Sequence, residues 1–389
     1  MNKQCKILIF VDWFEPGFKA GGPIRSVANF VYHLKDIYDI HLITSDRDIG
    51  EDKSYEGIPT NKWIDKNGYR ILYAAPGYLT FFSLKRWIGE IFPDWIYINS
   101  MFSWTFSILP VLVHRIFYKN ISVLLAPRGM LKNSALQYKQ NKKRIFLKLF
   151  KSLYIPRNII FQATDSTEKK DIDSVFGKRE HVKLLPNFPG IQKRFQSVTD
   201  KKRGELRLVF VGRVHPIKNL AFLLNILATA KGKIEVTIIG SIEDKLYWKH
   251  CQTIIDRFED RSNVKILENI AHSQLEQLII DHHVFVLPTQ GENYGHAIFE
   301  SLAAGRPVLI SDQTPWRNLT ANNAGWDIAL TDAGQFKKII AVLVDMDITQ
   351  LNVWCEGAWI YCNEYLTSSD LKKNYTDLLE KDNLCRKEF

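Results

Sequence analysis

The order strand, loop, helix, strand occurs twice in this chain, first from Lys6 and again from Leu206, and no other feature constrains the fold as much. Residues 6–11 are an apolar run with β-branched members, followed by a loop that ends Gly21-Gly22-Pro23. Beyond it Ile24, Val27, Ala28, Val31 and Leu34 recur at helical spacing. Pro23 suits the first turn of that helix, where its missing N–H has no partner to lose. Residues 39–44 read as the next strand. The second occurrence runs through a strand at 206–211, a loop from Gly212 to Lys218, a helix at 220–230 with Asn219 as its N-cap, and a strand at 234–239. Such units build parallel sheet with helices on its faces, so two of them predict an α/β chain with two doubly wound, Rossmann-like domains. With 389 residues, 46% of them hydrophobic, there is enough chain for two cores. The polar stretch 193–205 is the expected linker. It gives an N-terminal domain over 1–192, a C-terminal domain over 193–365, and a charged helix over 366–389 that either stands alone or crosses back to the N-terminal domain.

The formal net charge of +10 favours an anionic partner: a nucleotide, a headgroup surface or a nucleic acid. No nucleic-acid-binding motif accompanies the basic residues, which argues against the last. Five cysteines without a CxxC pair fit a reducing compartment better than a disulfide framework or a zinc site. The first apolar run is interrupted by Asp12 and Glu15 and reads as a strand, not a signal peptide. The stretch 101–113, broken by Pro110, is too short to span a bilayer. These features lead us to expect a cytoplasmic protein, either soluble or peripheral on the inner face of the cytoplasmic membrane. Neither strand–loop–helix opening carries G-x-G-x-x-G, and no G-x4-G-K-[ST] occurs, which excludes the nicotinamide and P-loop readings of such a fold.

Ligands of doubly wound sheets bind beyond the carboxyl ends of the strands, so the loops after Val11, Val211 and Leu287 should face a central cleft. The last of these begins Thr289-Gln290-Gly291-Glu292-Asn293-Tyr294-Gly295-His296, and Glu300 follows eight residues after Glu292. A helix start at Tyr294-Gly295-His296 offers free backbone N–H groups and a positive dipole end, which suit a diphosphate. Carboxylates on either side can accept hydrogen bonds from sugar or ribose hydroxyls. Arg213 and Lys218 stand between a buried strand and a helix start, where cations can hold phosphate. Taken singly, these are solvated surface charges in most loops; their grouping favours a site.

The stretch 289–308 closely resembles the E-x7-E signature of glycosyltransferase family 4, whose members have the GT-B fold. Gly21-Gly22-Pro23 looks like that family's N-terminal glycine loop, and Gly212-Arg213 with Lys218-Asn219 like its G-R-x4-K-N element. Ala126-Pro127-Arg128-Gly129-Met130-Leu131 and Leu185-Pro186-Asn187-Phe188 resemble motifs of a bacterial polysaccharide-biosynthesis branch. The resemblance implies a retaining, metal-independent glycosyltransferase. It would use a nucleotide-sugar donor as substrate, no cofactor, and a saccharide acceptor on a lipid carrier in capsule, O-antigen or exopolysaccharide synthesis. Arg213 and Lys218 would hold the donor diphosphate, Glu292 the transferred sugar, and Glu300 the ribose. The backbone of Asn293, Tyr294, Gly295 and His296 would support sugar and phosphate. Gly22 would approach the diphosphate from the opposite domain, and Ile270 would border the base. Many family members have histidine where this chain has Arg128. Arginine stays protonated and cannot act as a base, so Arg128 either contacts acceptor or phosphate or ties down a turn. A front-face mechanism, with the leaving phosphate taking the acceptor proton, fits this departure. The alternative function is a non-catalytic partner subunit or sugar-nucleotide-binding protein of the same fold.

Three further readings can be checked. Residues 129–163 hold no carboxylate but contain Lys132, Lys139, Lys142, Lys143, Arg144, Lys148, Lys151 and Arg157. Ile145, Phe146, Leu149, Phe150 and Leu153 recur among them at helical spacing. This is either a helix packed on the core with solvated lysines or one that lies on an anionic membrane. Asp165, Asp171 and Asp173 read as solvent-facing and not as a metal site. His272, His282 and His283 show no metal-ligand pattern. One of the adjacent pair is expected to be exposed, and only His296 is expected in the site.

Overall fold

The computed structural model describes residues 5–132, 136, 140–152, 159–177, 181–191, 193–258, 263–368 and 370–386. The chain divides into two compact units, Met1–Phe188 with Asp370–Phe389, and Pro189–Ser369. Each is built on its own largely parallel sheet with helices on both faces, as the two strand–loop–helix openings predict.

The first sheet has eight strands in the order β3-β4-β2-β1-β5-β6-β7-β8. They are β1 Lys6–Phe10, β2 Asp39–Ser45, β3 Trp63–Lys66, β4 Tyr69–Ala74, β5 Trp95–Ile98, β6 Ser122–Leu125, β7 Ile160–Ala163 and β8 Val182–Leu184. Only the β3–β4 pairing is antiparallel. Alternation along β1 sends Ile7 and Ile9 to one face and Leu8 and Phe10 to the other. The first face is covered by α1 (Gly22–Leu34) through Val27, Phe30, Val31 and Leu34, and by the terminal helix α12 (Leu371–Arg386) through Leu371, Tyr375 and Leu379. That helix is fastened by a hydrogen bond from the Trp95 indole to the Leu379 carbonyl, and the Tyr375 ring stacks on Phe188 at 4.6 Å. The second face is covered by α2 (Phe81–Ile91), α3 (Leu109–Phe117), α4 (Gln140–Ser152) and α5 (Ser166–Phe176).

The second sheet is wholly parallel, in the order β11-β10-β9-β12-β13-β14. Its strands are β9 Glu205–Val211, β10 Lys233–Ile239, β11 Val264–Leu267, β12 Val284–Leu287, β13 Val308–Ser311 and β14 Gly325–Ile328. The helices are α6 (Leu220–Leu227), α7 (Lys245–Ile255), α8 (His272–Ile280), α9 (His296–Ala303), α10 (Ala333–Asp345) and α11 (Ile348–Ser368). Counted along the chain the order is third, second, first, fourth, fifth, sixth, the doubly wound order whose direction reverses between β9 and β12. In the first sheet the same reversal falls between β1 and β5. Crevices for ligands open at these reversals, beyond the carboxyl ends of the strands.

Several local expectations change. The helix expected over 220–230 ends at Leu227, and Asn219 caps it in the left-handed conformation (φ 58°) without a side-chain bond. Residues 193–205 are bound into the second unit and do not span open space. The Trp359 indole donates to Lys193 O, Arg306 to Gln196 O, and Asn352 exchanges two bonds with Val198. His282 and His283 are both buried, so neither is the exposed member expected. His283 accepts from Arg207 N and sits 3.2 Å from Asp200 O, holding the approach to β9. Asp171 and Asp173 are half-buried and not fully solvent-facing: each buries one carboxylate oxygen that has no hydrogen-bond partner, and burial pushes the Asp171 pKa up. Cys5, Cys251, Cys355 and Cys362 are not in disulfides.

The basic segment packs on the core, the first of the two alternatives, and also leaves apolar residues outside it. In α4, Leu147 and Phe150 enter the core, while Ile145 and Leu149 are 62% and 56% exposed. Lys142, Arg144, Lys148 and Lys151 are exposed as well. Lys139, Leu153 and Arg157 lie outside the described residues. Among the described residues no helix is long and apolar enough to cross a membrane.

Candidate functional site

In the second unit the site forms where the sheet order reverses. β9 and β10 end side by side: Gly212 N donates to Ile239 O, and Gly240 lies so close that a Cβ there would stand 2.2 Å from Gly212 O. The chain then makes a single turn of 3-10 helix, Pro216–Lys218. This turn is stapled to the loop after β12, because Ile217 O accepts from both Gln290 N (2.7 Å) and Thr289 Oγ1 (3.0 Å). The staple brings Lys218 and Glu292 into contact, and their side chains form an ion pair with only 17% and 13% exposure. Glu292 N is held in turn by Gln313 O at 3.0 Å, so the carboxylate hangs from a fixed backbone.

Two residues beyond Asn293 the chain turns into α9. Gly295 adopts φ 77°, a backbone conformation that favours glycine, and a Cβ there would have to push aside the tip of Ile298, whose Cδ1 stands 2.9 Å away. No side chain caps this helix, and the first residue, His296, is buried with its backbone at the open amino end. Tyr294 is part of the support. Its carbonyl accepts from the Trp316 indole at 2.7 Å, and its ring packs against His296 and Trp316. Burial raises the Tyr294 pKa well above its ordinary value, so the phenol stays neutral.

Glu300 emerges from the second turn of α9 with 12% exposure, and His272 Nε2 lies 3.7 Å from its carboxylate. His272 is the first residue of α8, two beyond Ile270, which packs half-buried on the core margin. Glu300 is therefore adjacent to the loop after β11 where a base is expected. Arg213 behaves differently: it pairs with Glu243 at 2.5 Å, both 44% exposed, and not with Glu292. Thus Lys218 and Glu292 form one partnership, Glu300 and His272 a second, and Arg213 and Glu243 a third.

In the first unit Gly21, not Gly22, takes the left-handed conformation (φ 63°) before α1. Gly22 is the exposed first residue of that helix, whose start carries no side-chain cap. The neighbouring Pro23 carbonyl accepts from Asn99 Nδ2 at 3.3 Å. Asn99 follows β5, and its Oδ1 accepts from Arg128 Nε. Arg128 also donates to Asn187 Oδ1 and to the Tyr97 hydroxyl, so three neutral oxygens hold its guanidinium. It keeps φ 56° although it is not glycine, a conformation that costs energy and persists only when its surroundings enforce it. Gly129 N anchors the turn on the buried Glu168 carboxylate at 2.6 Å. Arg128 therefore ties the loops after β5, β6 and β8 to one another.

Asn99, Glu243 and His272 were not found from sequence. Each stands just beyond the carboxyl end of a strand, which is the one signal that marked them. Among the described residues no three His, Cys, Asp or Glu side chains converge in a way that could hold a metal.

The fold has counterparts among solved structures. Anabaena HepE in complex with UDP-glucose superposes with a TM-score of 0.70 at 14% identity, over 96% of this chain and 99% of that one. Sucrose-phosphate synthase from Thermosynechococcus elongatus gives 0.69 at 18% identity, over 97% and 99%. The lipopolysaccharide outer core galactosyltransferase WaaB in its apo form gives 0.60 at 15%, over 96% and 98%. No curated protein matches by sequence. At these identities the likeness establishes the fold, two Rossmann-like domains of the GT-B type, and residues 205–345, from the start of β9 to the end of α10, match the family model of glycosyl transferases group 1.

Proposed function

We propose that this protein is a retaining glycosyltransferase of the family 4 type that transfers a hexose from a nucleotide-diphosphate sugar to a saccharide acceptor. The observation that carries the reading is the half-buried Lys218–Glu292 pair beside the uncapped start of α9, within the segment that matches the family model. Cleaving a glycosyl–phosphate bond develops positive charge on the sugar and negative charge on the departing diphosphate. Lys218 and the α9 amino end supply positive charge at the phosphate, and Arg213 reaches the same loop with a fork of donors. Glu292, displaced from Lys218 by the incoming phosphate, becomes free to accept sugar hydroxyls. Glu300 accepts the ribose hydroxyls beside the loop that holds the base.

With Arg128 in place of a histidine and its donors engaged by Asn99, Asn187 and Tyr97, the acceptor hydroxyl has no side-chain base at that position. The leaving phosphate oxygen takes its proton on the face that the acceptor attacks, which preserves the anomeric configuration. Because lysine and arginine neutralise the diphosphate, turnover needs no divalent ion. The acceptor is a lipid-linked saccharide of bacterial surface-polysaccharide synthesis, met at the cytoplasmic membrane. The exposed Ile145–Leu149 pair among cations of α4 supports that docking. The test is turnover of a panel of nucleotide-sugars, with the released nucleotide measured in the presence of excess chelator. Donor cleavage that survives chelation supports the proposal, and its absence with every donor, or loss on chelation restored by magnesium, refutes the corresponding part.

A further inference from the structure

The first unit has a second concavity at the opposite end of its sheet. A cavity of about 420 Å³ is lined by Lys6, Asp39, His41, Trp63, Arg70, Trp87, Glu90 and Ile91. That volume lies in the range of small-molecule sites. Register explains how it arises. Lys6 pairs with Asp39, Leu8 with His41, and His41 with Arg70, so Lys6, Asp39, His41 and Arg70 all point to the face covered by α2. Further along the same face Leu8, Ile43 and Leu72 fill the core against Leu84 and Ile88. At the amino margin the apolar rows give way to this charged row, roofed by Trp87, Glu90 and Ile91 of α2 and walled by Trp63 of the edge strand.

Two buried polar atoms there lack any partner: His41 Nδ1 and Trp87 Nε1. His41 is only 6% exposed, and its Nε2 lies 3.0 Å from Asp39 Oδ1. Burial pushes the His41 pKa down, so the ring is neutral, with its proton on Nε2 facing the carboxylate. Nδ1 is therefore an unfilled acceptor and the Trp87 indole an unfilled donor. Two cations, Lys6 and Arg70, and two carboxylates, Asp39 and Glu90, line the cavity, and Arg70 pairs in turn with Asp65 at 2.9 Å and Glu90 with Arg86 at 3.7 Å. The balance disfavours a phosphate or a cationic ligand, and the orphan donor and acceptor disfavour a purely apolar one.

We infer that this margin is a binding site for a neutral sugar unit, separate from the transfer site. Hydroxyl groups both donate and accept, so they satisfy His41 Nδ1, the Trp87 indole and the alternating charges of the rim together. Indole rings supply apolar walls for the C–H faces of a pyranose. The inference is independent of the transfer reading, since Lys6, Asp39, His41 and Arg70 lie toward the amino ends of parallel strands of the first unit and Trp87, Glu90 and Ile91 on the last turns of α2, away from the loops at the carboxyl ends.

The test uses the full chain labelled with 5-fluorotryptophan and followed by fluorine NMR, with Trp63→Phe, Trp87→Phe and Trp316→Phe assigning the three resonances. Probes are the methyl glycosides of glucose, galactose, mannose, N-acetylglucosamine and rhamnose, with inorganic phosphate and adenosine as controls. The expected result is a saturable shift of the Trp63 and Trp87 signals with at least one glycoside, while Trp316 stays still. His41→Leu and Trp87→Phe each remove one hydrogen-bonding group and should weaken binding about fivefold. Trp87→Phe preserves an aromatic roof and remains informative if the histidine variant fails to fold. No shift with any glycoside, shifts with phosphate or adenosine alone, or unchanged affinity in folded variants would overturn the inference.

Discussion

Replacing Lys218 by Met, Glu292 by Gln, and both together should separate what the pair does for stability from what it does for turnover. The two side chains are in contact, and each is less than one-fifth exposed. A contact pair at an effective dielectric of about 20 gains about 4 kcal/mol of attraction, offset by the loss of hydration on both groups. Removing one partner takes away the attraction that offsets the lost hydration of the other. We expect a loss of about 2 kcal/mol for either single variant, below the 3–5 kcal/mol of fully buried pairs because residual water still reaches both groups. For a unit of this size each kcal/mol lowers the midpoint by about 2–4 °C, so the second unit should melt about 4–8 °C lower. The double variant keeps the shapes and removes both charges, and should regain most of that loss.

Turnover should not follow. Lys218→Met removes a phosphate donor and should lower the rate on the order of a hundredfold. The double variant should stay at least as slow, because restored packing does not restore the cation. Calorimetry of the ligand-free protein and nucleotide release from the active donor measure the two effects separately. Recovery of turnover in the double variant would refute the catalytic role of Lys218. A stable Lys218→Met would refute the energetic role of the pair.

Glu300→Ala should weaken binding of the bare nucleotide, whereas Glu292→Ala should weaken the sugar nucleotide far more than the nucleotide; calorimetric titration of both ligands checks this, and equal effects would contradict the two assignments. Burial lowers the His283 pKa from 6.5 to about 4. The unfolded chain then binds a proton that the folded one refuses, so stability present above about pH 6.5 is lost as pH falls toward 4, by up to about 3 kcal/mol. Urea unfolding across that window should show the slope, and His283→Gln should flatten it. Vesicle co-sedimentation should show salt-sensitive binding to anionic lipid that drops when Lys142, Arg144 and Lys148 become Gln, and again when Ile145 and Leu149 become Ser; binding that ignores lipid charge and salt would contradict docking through α4.

The parallel sheets were legible because a buried parallel strand reads as a nearly continuous apolar run, and runs such as 7–11 and 284–287 can be little else. Lys218 and Glu292 were legible as members of one site because motif spacing survives in sequence. Their direct pairing was not, because it depends on two bonds to Ile217 O from a loop some seventy residues away. Asp171 and Asp173 face solvent only in part, which polarity in a helix does not reveal because it says nothing about which face turns inward. His283 was misread because its partners, Arg207 N and Asp200 O, are backbone atoms that leave no mark in a pattern of side chains.

Arg128 shows how far this reasoning goes. From sequence it stood equally for a ligand contact and for a brace. The structure engages its guanidinium with Asn99 and the Tyr97 hydroxyl at the end of β5 and with Asn187 beyond β8, and fixes its backbone in a conformation that glycine adopts more easily. A glycine would relieve the backbone and release all three loops. Arginine accepts the strain because only a long, forked, permanently charged side chain reaches three neutral oxygens at once. One of them, Asn99, also holds the start of α1 beside Gly22. Arg128 thus organises the loops at the strand ends of the first unit, and we expect any effect it has on a ligand to act through the positions of Asn99 and Gly22.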